Sequence, residues 1–257
     1  MNIFIKDITK ETLSDLDKIC LHFLDKLENK TDYLEGIKKR NEWYSNMFDK
    51  YGPLAKVAYK DNIPAGMIQF IPRALEQVID IQCVFVKDEF VGLGIGSLLL
   101  EETIKYLSCK KNYFNDSSPK ALITWAFDIP GHVPQEKLFT KFGFIPSDSG
   151  RPLYLPIENK YKYTYKPDNS FKNKSSNKKA TIILDTSCPF CIFTTNKYTN
   201  IFKDILPEIK LKTVNKFKDT TETKCLVDFC EFNQKEILTA FAKKDEIKKC
   251  IYEKQGK

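Results

Sequence analysis

A glycine-rich turn between an apolar run and a helix is the feature that most restricts the fold of this chain. The turn is Val91-Gly92-Leu93-Gly94-Ile95-Gly96. It follows residues 78–86, which are nearly continuous in Val, Ile and Phe, as in a strand buried on both faces. Glycines let the backbone turn sharply and approach a ligand, and the N–H groups at the start of a helix bind phosphate. The pattern predicts a phosphate cradle or, as the alternative, a tight turn that binds nothing.

The position of this turn in the chain argues against two common phosphate-binding designs. A dinucleotide-binding fold has its glycine-rich turn after the first strand, with an acidic residue about 20 positions further on. Here a pair of predicted helices and a predicted hairpin come before the turn. A Walker loop would continue with Gly-Lys-Ser or Gly-Lys-Thr, and this sequence does not.

The spacing of apolar residues over about the first 155 positions predicts short strands mixed with helices. We predict strands at 3–5, 54–60, 63–71, 78–86 and 121–127, with short closing strands at 144–146 and 153–155. We predict helices at 13–27, 33–50 and 135–142, and one directly after the turn. The polar pair Asp61-Asn62 separates two apolar runs, which is typical of a hairpin.

Two segments of this region resemble the GNAT superfamily of N-acetyltransferases. The residues from Phe85 through the turn to Leu99 are similar to the family's strand end, "V-x-P-E-Y-R-G-K-G-I-G", and its helix, and residues 138–144 are similar to "Y-E-K-L-G-F". The resemblance implies an α+β fold with a mixed, mostly antiparallel sheet flanked by helices. It also implies an acyl-CoA-dependent N-acetyltransferase. Such an enzyme moves an acetyl group from acetyl-CoA to an amine of a small molecule or protein, by direct attack in a ternary complex.

The resemblance further implies which residues bind acetyl-CoA. The strand end would part from its neighbour and bind the pantetheine through the main chain of Val84, Phe85 and Val86. Backbone amides would hold the pyrophosphate at Val91, Gly92, Leu93, Gly94, Ile95, Gly96 and Ser97. Two positions depart from the family: Val91 replaces a frequent Arg or Gln, and Phe139 replaces the Tyr that often protonates the leaving thiolate.

Three residues are candidates for helping the acceptor amine lose a proton. Asp80 on the strand is a candidate base, and Gln82, on the same face by alternation, would orient a water. A solvated or ion-paired aspartate is the alternative for Asp80. His132 lies among turn-forming residues after the strand that borders the family's active site, and it titrates near neutrality. A surface histidine without a role is the alternative there.

The composition changes after residue 157. Residues 158–179 are rich in Lys, Asn, Ser and Tyr, which is typical of a linker or an extended arm. Beyond it we predict strands at 180–185, 209–214 and 225–229, a helix at 193–206, and a helix at 234–241 with an extension to 252. The sequence thus predicts a GNAT acetyltransferase domain over 1–157, a basic polar linker or arm over 158–179, and a small domain over 180–257.

The small domain carries Cys188-Pro189-Phe190-Cys191 where a strand leads into a helix. The start of a helix stabilises a thiolate, and this placement resembles the redox motif of thioredoxin and glutaredoxin proteins. It implies a thioredoxin-like α/β module with a redox or thiol site at Cys188 and Cys191. A soft-metal site with Cys225 and Cys230, or an inert pair, remains open, and no metal site is assigned. The two-part organisation resembles bacterial acetyltransferases of the YoaP type.

Charge and composition restrict the partners. The net charge of +7 is modest and fits an anionic ligand such as CoA, so no nucleic acid is expected. No run approaches the roughly 18 apolar residues of a membrane span, and we expect a cytoplasmic protein. Acetyl-CoA and an amine acceptor are the expected partners, and a homodimer is left open. The alternative function is a non-catalytic CoA-binding or thiol- or metal-sensing protein.

Overall fold

The computed structural model describes residues 2–127, 133–165, 179–217, 230–232, 235–237 and 243–254. The chain divides into two compact units. The first consists of Met1–Phe23 and Tyr44–Tyr165, and the second of Leu24–Trp43 and Lys166–Lys257. Residues 24–43 therefore belong with the C-terminal part of the chain, whereas the predicted domain boundaries group them with the N-terminal part.

The described part of the first unit contains a seven-stranded sheet in the order β1-β2-β3-β4-β5-β7-β6. Its strands are β1 (Ile3–Asp7), β2 (Ala55–Lys60), β3 (Ile63–Arg73), β4 (Val78–Val86), β5 (Ala121–Thr124), β6 (Ile145–Pro146) and β7 (Leu153–Pro156). Neighbouring strands are antiparallel except for β4 and β5, which are parallel. The predicted α+β class, with a mixed and mostly antiparallel sheet flanked by helices, is confirmed.

The hairpin between β2 and β3 forms as the sequence predicts. Its two loop residues, Asp61 and Asn62, have φ angles of 50° and 67°. Two-residue hairpin loops need such left-handed backbone to match the strand twist, and Asp and Asn tolerate it. The hairpin brings β3 beside β4, and both strands are largely buried. The long β4 therefore lies inside the sheet, with its far end leading to the glycine turn.

The helices α1 (Leu13–Cys20), α3 (Ile95–Leu107) and α4 (Gln135–Lys141) belong to the same unit as this sheet. The helix α2 (Lys30–Tyr51) belongs to it only from Tyr44 onward. The predicted helix at 13–27 is shorter than expected, because a 3-10 helix replaces it from Leu21 to Lys26. Phe23 in that segment packs against Phe85 of β4, with ring centroids 4.7 Å apart. No helix among the described residues combines the length and the apolarity needed to cross a membrane.

The described part of the second unit contains a four-stranded sheet in the order β11-β10-β8-β9. Its strands are β8 (Lys179–Leu184), β9 (Lys210–Asn215), β10 (Cys230–Phe232) and β11 (Lys235–Ile237). The helix α5 (Cys191–Ile205) connects the parallel strands β8 and β9, while β10 and β11 are antiparallel to their neighbours. The last helix, α6 (Lys244–Lys254), follows the sheet.

One predicted element of this unit is wrong. The sequence predicts a helix at 234–241 with an extension to 252, but residues 235–237 form β11 and pair with β10, and only the extension overlaps a helix, α6. The local sequence Gln-Lys-Glu-Ile-Leu favours a helix, and pairing with a strand whose Cys230 and Phe232 lie in the core overrides that preference. The strand predicted at 225–229 lies outside the described residues.

The start of α2 packs within the second unit. Tyr33 is fully buried, and its ring meets that of Phe190 with centroids 4.8 Å apart. Residues 24–43 end at Trp43, whose ring centroid lies 5.2 Å from that of Phe217. Aromatic contacts of this kind bury large apolar areas, which explains why residues 24–43 belong to this unit.

Candidate functional site

The strands β4 and β5 part from each other halfway along β4. They pair in parallel from Val78 with Ala121 to Ile81 with Thr124. There β5 ends, while β4 continues to Val86. Residues 82–86 therefore keep only β3 as a strand neighbour within the described residues. One edge of the end of β4 can offer its main-chain N–H and C=O groups to a ligand.

A side-chain amide bridges the two strands where they have parted. Gln135, the first residue of α4, donates from Nε2 to the carbonyl oxygen of Val84 at 3.0 Å. Its Oε1 accepts a hydrogen bond from the backbone N–H of Phe127 at 3.2 Å. Gln135 is 7% exposed. The opening between β4 and the chain beyond β5 is thus held by one buried side chain.

The glycine turn connects β4 to α3. Gly92 and Gly94 have φ angles of 85° and 76°, in the left-handed region that L side chains rarely adopt. Gly94 precedes the first residue of α3, and its carbonyl accepts the first helical bond, from the N–H of Leu98, at 3.0 Å. The N–H groups at the start of a helix lack intrahelical acceptors and carry the positive end of the helix dipole. The turn therefore presents donors that suit an anion.

A cleft of about 400 Å³ includes both features. It is lined by Val84, Phe85, Val86, Phe90, Val91, Gly92, Gly94, Ile95, Gly96, Ser97, Val133, Gln135, Lys137, Leu138 and Lys141. All of these residues belong to the first unit. The cleft combines an exposed strand edge, a helix start and an apolar wall, so it suits an elongated ligand with an anionic part.

Two lysines of α4 line the same cleft. Lys137 and Lys141 are one helical turn apart and are both exposed. Like charges at this spacing repel each other slightly, and a bound anion would relieve the repulsion. They supply positive charge in a cleft where Val91 carries none. The residues of this cleft therefore fit the phosphates and the pantetheine of a CoA molecule.

Most of the residues predicted to bind the cofactor meet in this cleft. They are Val84, Phe85, Val86, Val91, Gly92, Gly94, Ile95, Gly96 and Ser97, whereas Leu93 is not part of the lining. Sequence reasoning missed Phe90, Val133, Gln135, Lys137, Leu138 and Lys141. The spacing of Lys137 and Lys141 on a short helix of the same motif was a signal for a charged face. Nothing in the local sequence marks Gln135.

The candidate bases lie near the point where the strands part. Asp80 is 3% exposed and pairs in register with Ile71 of β3 and Ile123 of β5. Gln82 follows the last paired residue, and its Oε1 accepts a hydrogen bond from Nε2 of Gln69 at 3.3 Å. Neither side chain lines the cleft. His132 lies outside the described residues.

Phe139 contributes to the core and not to the cleft. It is 1% exposed, and its ring packs edge-on against Phe144 with centroids 5.0 Å apart. A phenyl ring has no proton to donate. Any protonation of a leaving group in the cleft must therefore come from elsewhere.

His22 contacts the segment that leads into the glycine turn. Its Nε2 lies 2.9 Å from Oδ2 of Asp88, and its ring lies 5.8 Å from that of Phe85. The adjacent Glu89 has its pKa held below its ordinary value, first by a hydrogen bond from Lys87. These contacts join the 3-10 helix to the segment between β4 and the turn. His22 thus has a structural role.

The second unit holds the cysteine pair. Cys191 is buried as the first residue of α5, and Cys188 is half-buried. Burial, together with the nearby carboxylate of Asp185, raises the pKa of Cys191 to about 12. Cys191 therefore remains a protonated thiol near neutral pH.

Asp185 itself is paired with a buried lysine. Its Oδ2 accepts a hydrogen bond from Nζ of Lys216 at 2.7 Å. Its Oδ1 accepts hydrogen bonds from the backbone N–H and the hydroxyl of Ser187. Burial alone would raise the pKa of Asp185, but the charge and hydrogen bond of Lys216 outweigh burial and hold it below its ordinary value. A charged pair thus lies beneath the cysteine loop.

The described residues contain no group of three or more His, Cys, Asp or Glu side chains that could hold a metal ion. Cys230, named in the metal alternative, is buried in the apolar core of the second unit. Its suggested partner Cys225 lies outside the described residues.

Comparison with known proteins gives a family match and several similar structures. Residues 21–144 match the model of the Acetyltransferase (GNAT) family. Among solved structures, the chain is similar to an N-acetyltransferase from Staphylococcus aureus Mu50, with 20% identity and a TM-score of 0.44, covering 62% of this chain and 100% of that one. It is similar to PaiA N-acetyltransferase from Thermoplasma acidophilum in complex with coenzyme A, with 18% identity and a TM-score of 0.41, covering 60% and 97%.

A third similar structure is the ribosomal-protein-S18-alanine N-acetyltransferase from Escherichia coli, with 16% identity and a TM-score of 0.42, covering 62% of this chain and 99% of that one. No curated protein matches the sequence.

Proposed function

We propose that this protein, whose residues 21–144 match the model of the Acetyltransferase (GNAT) family, transfers an acetyl group from acetyl-CoA to an amine of a small molecule or protein. The observation that carries this proposal is the cleft in which the free edge of β4, the start of α3 and the two lysines of α4 meet. An acyl-CoA needs all three: main-chain partners for its amides, and donors and positive charge for its phosphates.

The start of α3 would bind the pyrophosphate of CoA. The N–H groups of Ile95, Gly96 and Ser97 have no intrahelical acceptor and carry the positive end of the helix dipole. Lys137 and Lys141 would add the charge that an Arg at position 91 would otherwise supply. The main chain of Val84 and Val86 would hold the pantetheine as a further strand holds its neighbour.

Chemistry would then proceed by direct attack in a ternary complex. The amine lone pair forms a bond to the thioester carbon, the C–S bond breaks, and the amine proton leaves to a base. Asp80, acting with Gln82 through water, and His132 are the bases we propose. An alkyl thiol has a pKa of about 8.5, so the thiolate can leave without an acid at position 139.

Calorimetric titration of the reduced protein with acetyl-CoA tests this function. We expect micromolar binding, and about ten-fold weaker binding when Lys137 and Lys141 are both changed to Gln, with a smaller dependence on salt. Lys105→Gln is the matched control, because Lys105 is exposed on α3 and does not line the cleft. A folded wild type that does not bind acetyl-CoA would overturn the proposal. If it binds, a panel of amines screened for acetylated products by mass spectrometry identifies the acceptor.

A second candidate function is a thiol site in the second unit. The half-buried Cys188 beside the start of α5 favours it, because the start of a helix stabilises a thiolate. The strand order β11-β10-β8-β9, with Cys188 and Cys191 at the start of α5, supports a thioredoxin-like module.

In the thiol reaction, the Cys188 thiolate would attack a disulfide such as oxidised glutathione and release one glutathione. The sulfur of Cys191 would then attack that of Cys188, forming the Cys188–Cys191 disulfide and breaking the bond to the second glutathione, whose thiolate takes up the Cys191 proton. Incubation with oxidised glutathione, followed by mass spectrometry, tests this: an intramolecular Cys188–Cys191 disulfide lowers the mass by two hydrogen atoms. Its failure to form would leave the alternative of an inert pair.

The finer assignments rest on the sequence resemblance. We propose that the protein is a bacterial acetyltransferase of the YoaP type and that it acts in the cytoplasm. Gel filtration with light scattering distinguishes a monomer from a homodimer.

A further inference from the structure

The bridge made by Gln135 replaces a part of the sheet. In a parallel pair, evenly spaced backbone hydrogen bonds join the strands. That ladder ends at Ile81 and Thr124, yet the carbonyl of Val84 and the N–H of Phe127 are still joined, through both polar atoms of the Gln135 amide. One side chain therefore sets the distance between β4 and the chain beyond β5 at the point where the cleft begins.

The bridge uses the main-chain carbonyl of Val84 but not its N–H group. In a strand, the N–H and the C=O of one residue point toward the same edge. Because the carbonyl of Val84 faces Gln135, its N–H faces the same opening. The N–H of Lys87, three residues further, donates instead to Ala65 of β3 at 2.9 Å, as alternation along the strand requires. Val84 thus presents a donor to the cleft while its acceptor is already occupied.

We propose that Gln135 is a positioning residue that holds the Val84 N–H where it meets the acyl carbonyl of the bound thioester. This inference rests on the proposed acetyltransferase function. Gln135 would not touch the reacting atoms; it would fix the width of the opening and keep the Val84 carbonyl from competing for ligand donors. The hydrogen bond to Val84 is buried and the one from Phe127 is part-buried. Loss of the first leaves the Val84 carbonyl poorly satisfied, and the strand end would shift to recover a partner.

Two substitutions separate the two hydrogen bonds. Gln135→Glu keeps an acceptor for the Phe127 N–H but loses the donor to Val84, and it sets a carboxylate against that carbonyl. Gln135→Met has a similar length and loses both bonds. The matched control is Glu136→Gln, a change between the same two residue types at the next, exposed position of α4.

Two independent measurements test whether the Gln135 bridge forms and whether it affects acetyl-CoA binding. Hydrogen exchange at the Phe127 amide, followed in the ligand-free protein, reports whether the bridge exists. Calorimetry with acetyl-CoA and with CoA reports what it does, since CoA lacks the acyl carbonyl. We expect exchange at Phe127 to accelerate in Gln135→Met but not in Gln135→Glu. We expect both variants to bind acetyl-CoA about ten-fold more weakly, with a clearly smaller loss for CoA.

Equal losses of affinity for acetyl-CoA and for CoA would show that Gln135 has only a structural role and would overturn the inference. So would unchanged acetyl-CoA affinity in Gln135→Met alongside faster exchange at Phe127, and in that case the proposed function would stand. Unchanged exchange in Gln135→Met would show that the bridge does not form in solution and would also overturn the inference. A folded wild type that binds neither ligand would overturn the proposed function, and this inference with it.

Discussion

Gly36 of α2 and Pro189 of the cysteine loop approach each other so closely that a Cβ atom on Gly36 would overlap the carbonyl oxygen of Pro189. Both residues belong to the second unit. The contact joins backbone to backbone, so no flexible side chain can move aside. Only glycine at position 36 permits this packing.

Gly36→Ala should therefore destabilise the protein, although alanine favours a helix by about 1 kcal/mol over glycine. We expect the free energy of unfolding to fall by about 1–3 kcal/mol, because overpacking forces the backbone to shift. Urea denaturation followed by circular dichroism measures it. Asn46→Ala, at an exposed position of the same helix, should change it by less than about 0.5 kcal/mol. Equal stability of Gly36→Ala and the wild type would refute the packing.

Asp185→Asn should destabilise the protein, because it leaves the buried charge of Lys216 without its partner. Lys216, whose side chain is 8% exposed, would lose its carboxylate partner. We expect a loss of about 3 kcal/mol in the free energy of unfolding at pH 7. Asp204→Asn is the control, since its pair with Lys244 is exposed and should contribute little.

The pH dependence of this effect has a definite sign. The pKa of Asp185 is lowered in the folded protein, so its stabilisation is present above the unfolded pKa of about 3.9. It is lost as the pH falls through the lower folded pKa. The difference in stability between the wild type and Asp185→Asn should therefore shrink as the pH falls below about 4. A difference that instead grows in that acidic range would contradict the assignment.

The two cysteines of the loop should differ in reactivity. With its pKa raised to about 12 and its side chain buried, Cys191 has very little thiolate at pH 8. Iodoacetamide should modify Cys188 in a Cys191→Ser variant much faster than Cys191 in a Cys188→Ser variant, as measured by peptide mass spectrometry. Adding Asp185→Asn should speed modification of Cys191, because removal of the negative charge lowers the pKa of the thiol. Equal rates in the two single variants would contradict this prediction.

Gly94→Val should destabilise the glycine turn mainly through backbone strain and less through steric crowding. A Cβ at Gly94 would meet no atom within 4 Å, but its φ of 76° is strained for valine. We expect a loss of about 1–2 kcal/mol in stability together with weaker acetyl-CoA binding, because the turn would distort. Gly96→Ala is the comparison: its φ is ordinary, and its Cβ would make normal contacts at 3.8 Å with Leu138 and Val86. A Gly94→Val variant with wild-type stability and affinity would refute the role of the turn.

Much of the first unit could be predicted from the sequence. The strand Val78–Val86 has the predicted bounds, because a continuous run of β-branched and aromatic residues has few other solutions. The glycine turn was predictable for a similar reason, since glycine alone adopts the left-handed backbone of Gly92 and Gly94 without strain. The residues adjacent to these two features therefore form most of the cleft lining that was expected.

The misses have a common cause. Gln135 reaches the cleft because α4 lies beside the end of β4, and its neighbours in sequence do not signal it. The helix predicted at 234–241 fails because the partner strand β10 determines the conformation of residues 235–237. Membership of residues 24–43 in the second unit depends on Tyr33 meeting Phe190, across about 150 positions of chain, a separation at which local propensity says nothing.

The sequence by itself determined where the chain turns, which strand is central and where an anion can meet a helix start. These depend on backbone preferences and on hydrophobic patterning, which act over a few residues. The tertiary structure alone decided that Gln135 bridges Val84 and Phe127, that Asp185 pairs with Lys216, and that Gly36 must lack a side chain. Such relationships arise only when distant segments pack together, because hydrogen bonds and steric contacts depend on distances in space and not on spacing along the chain.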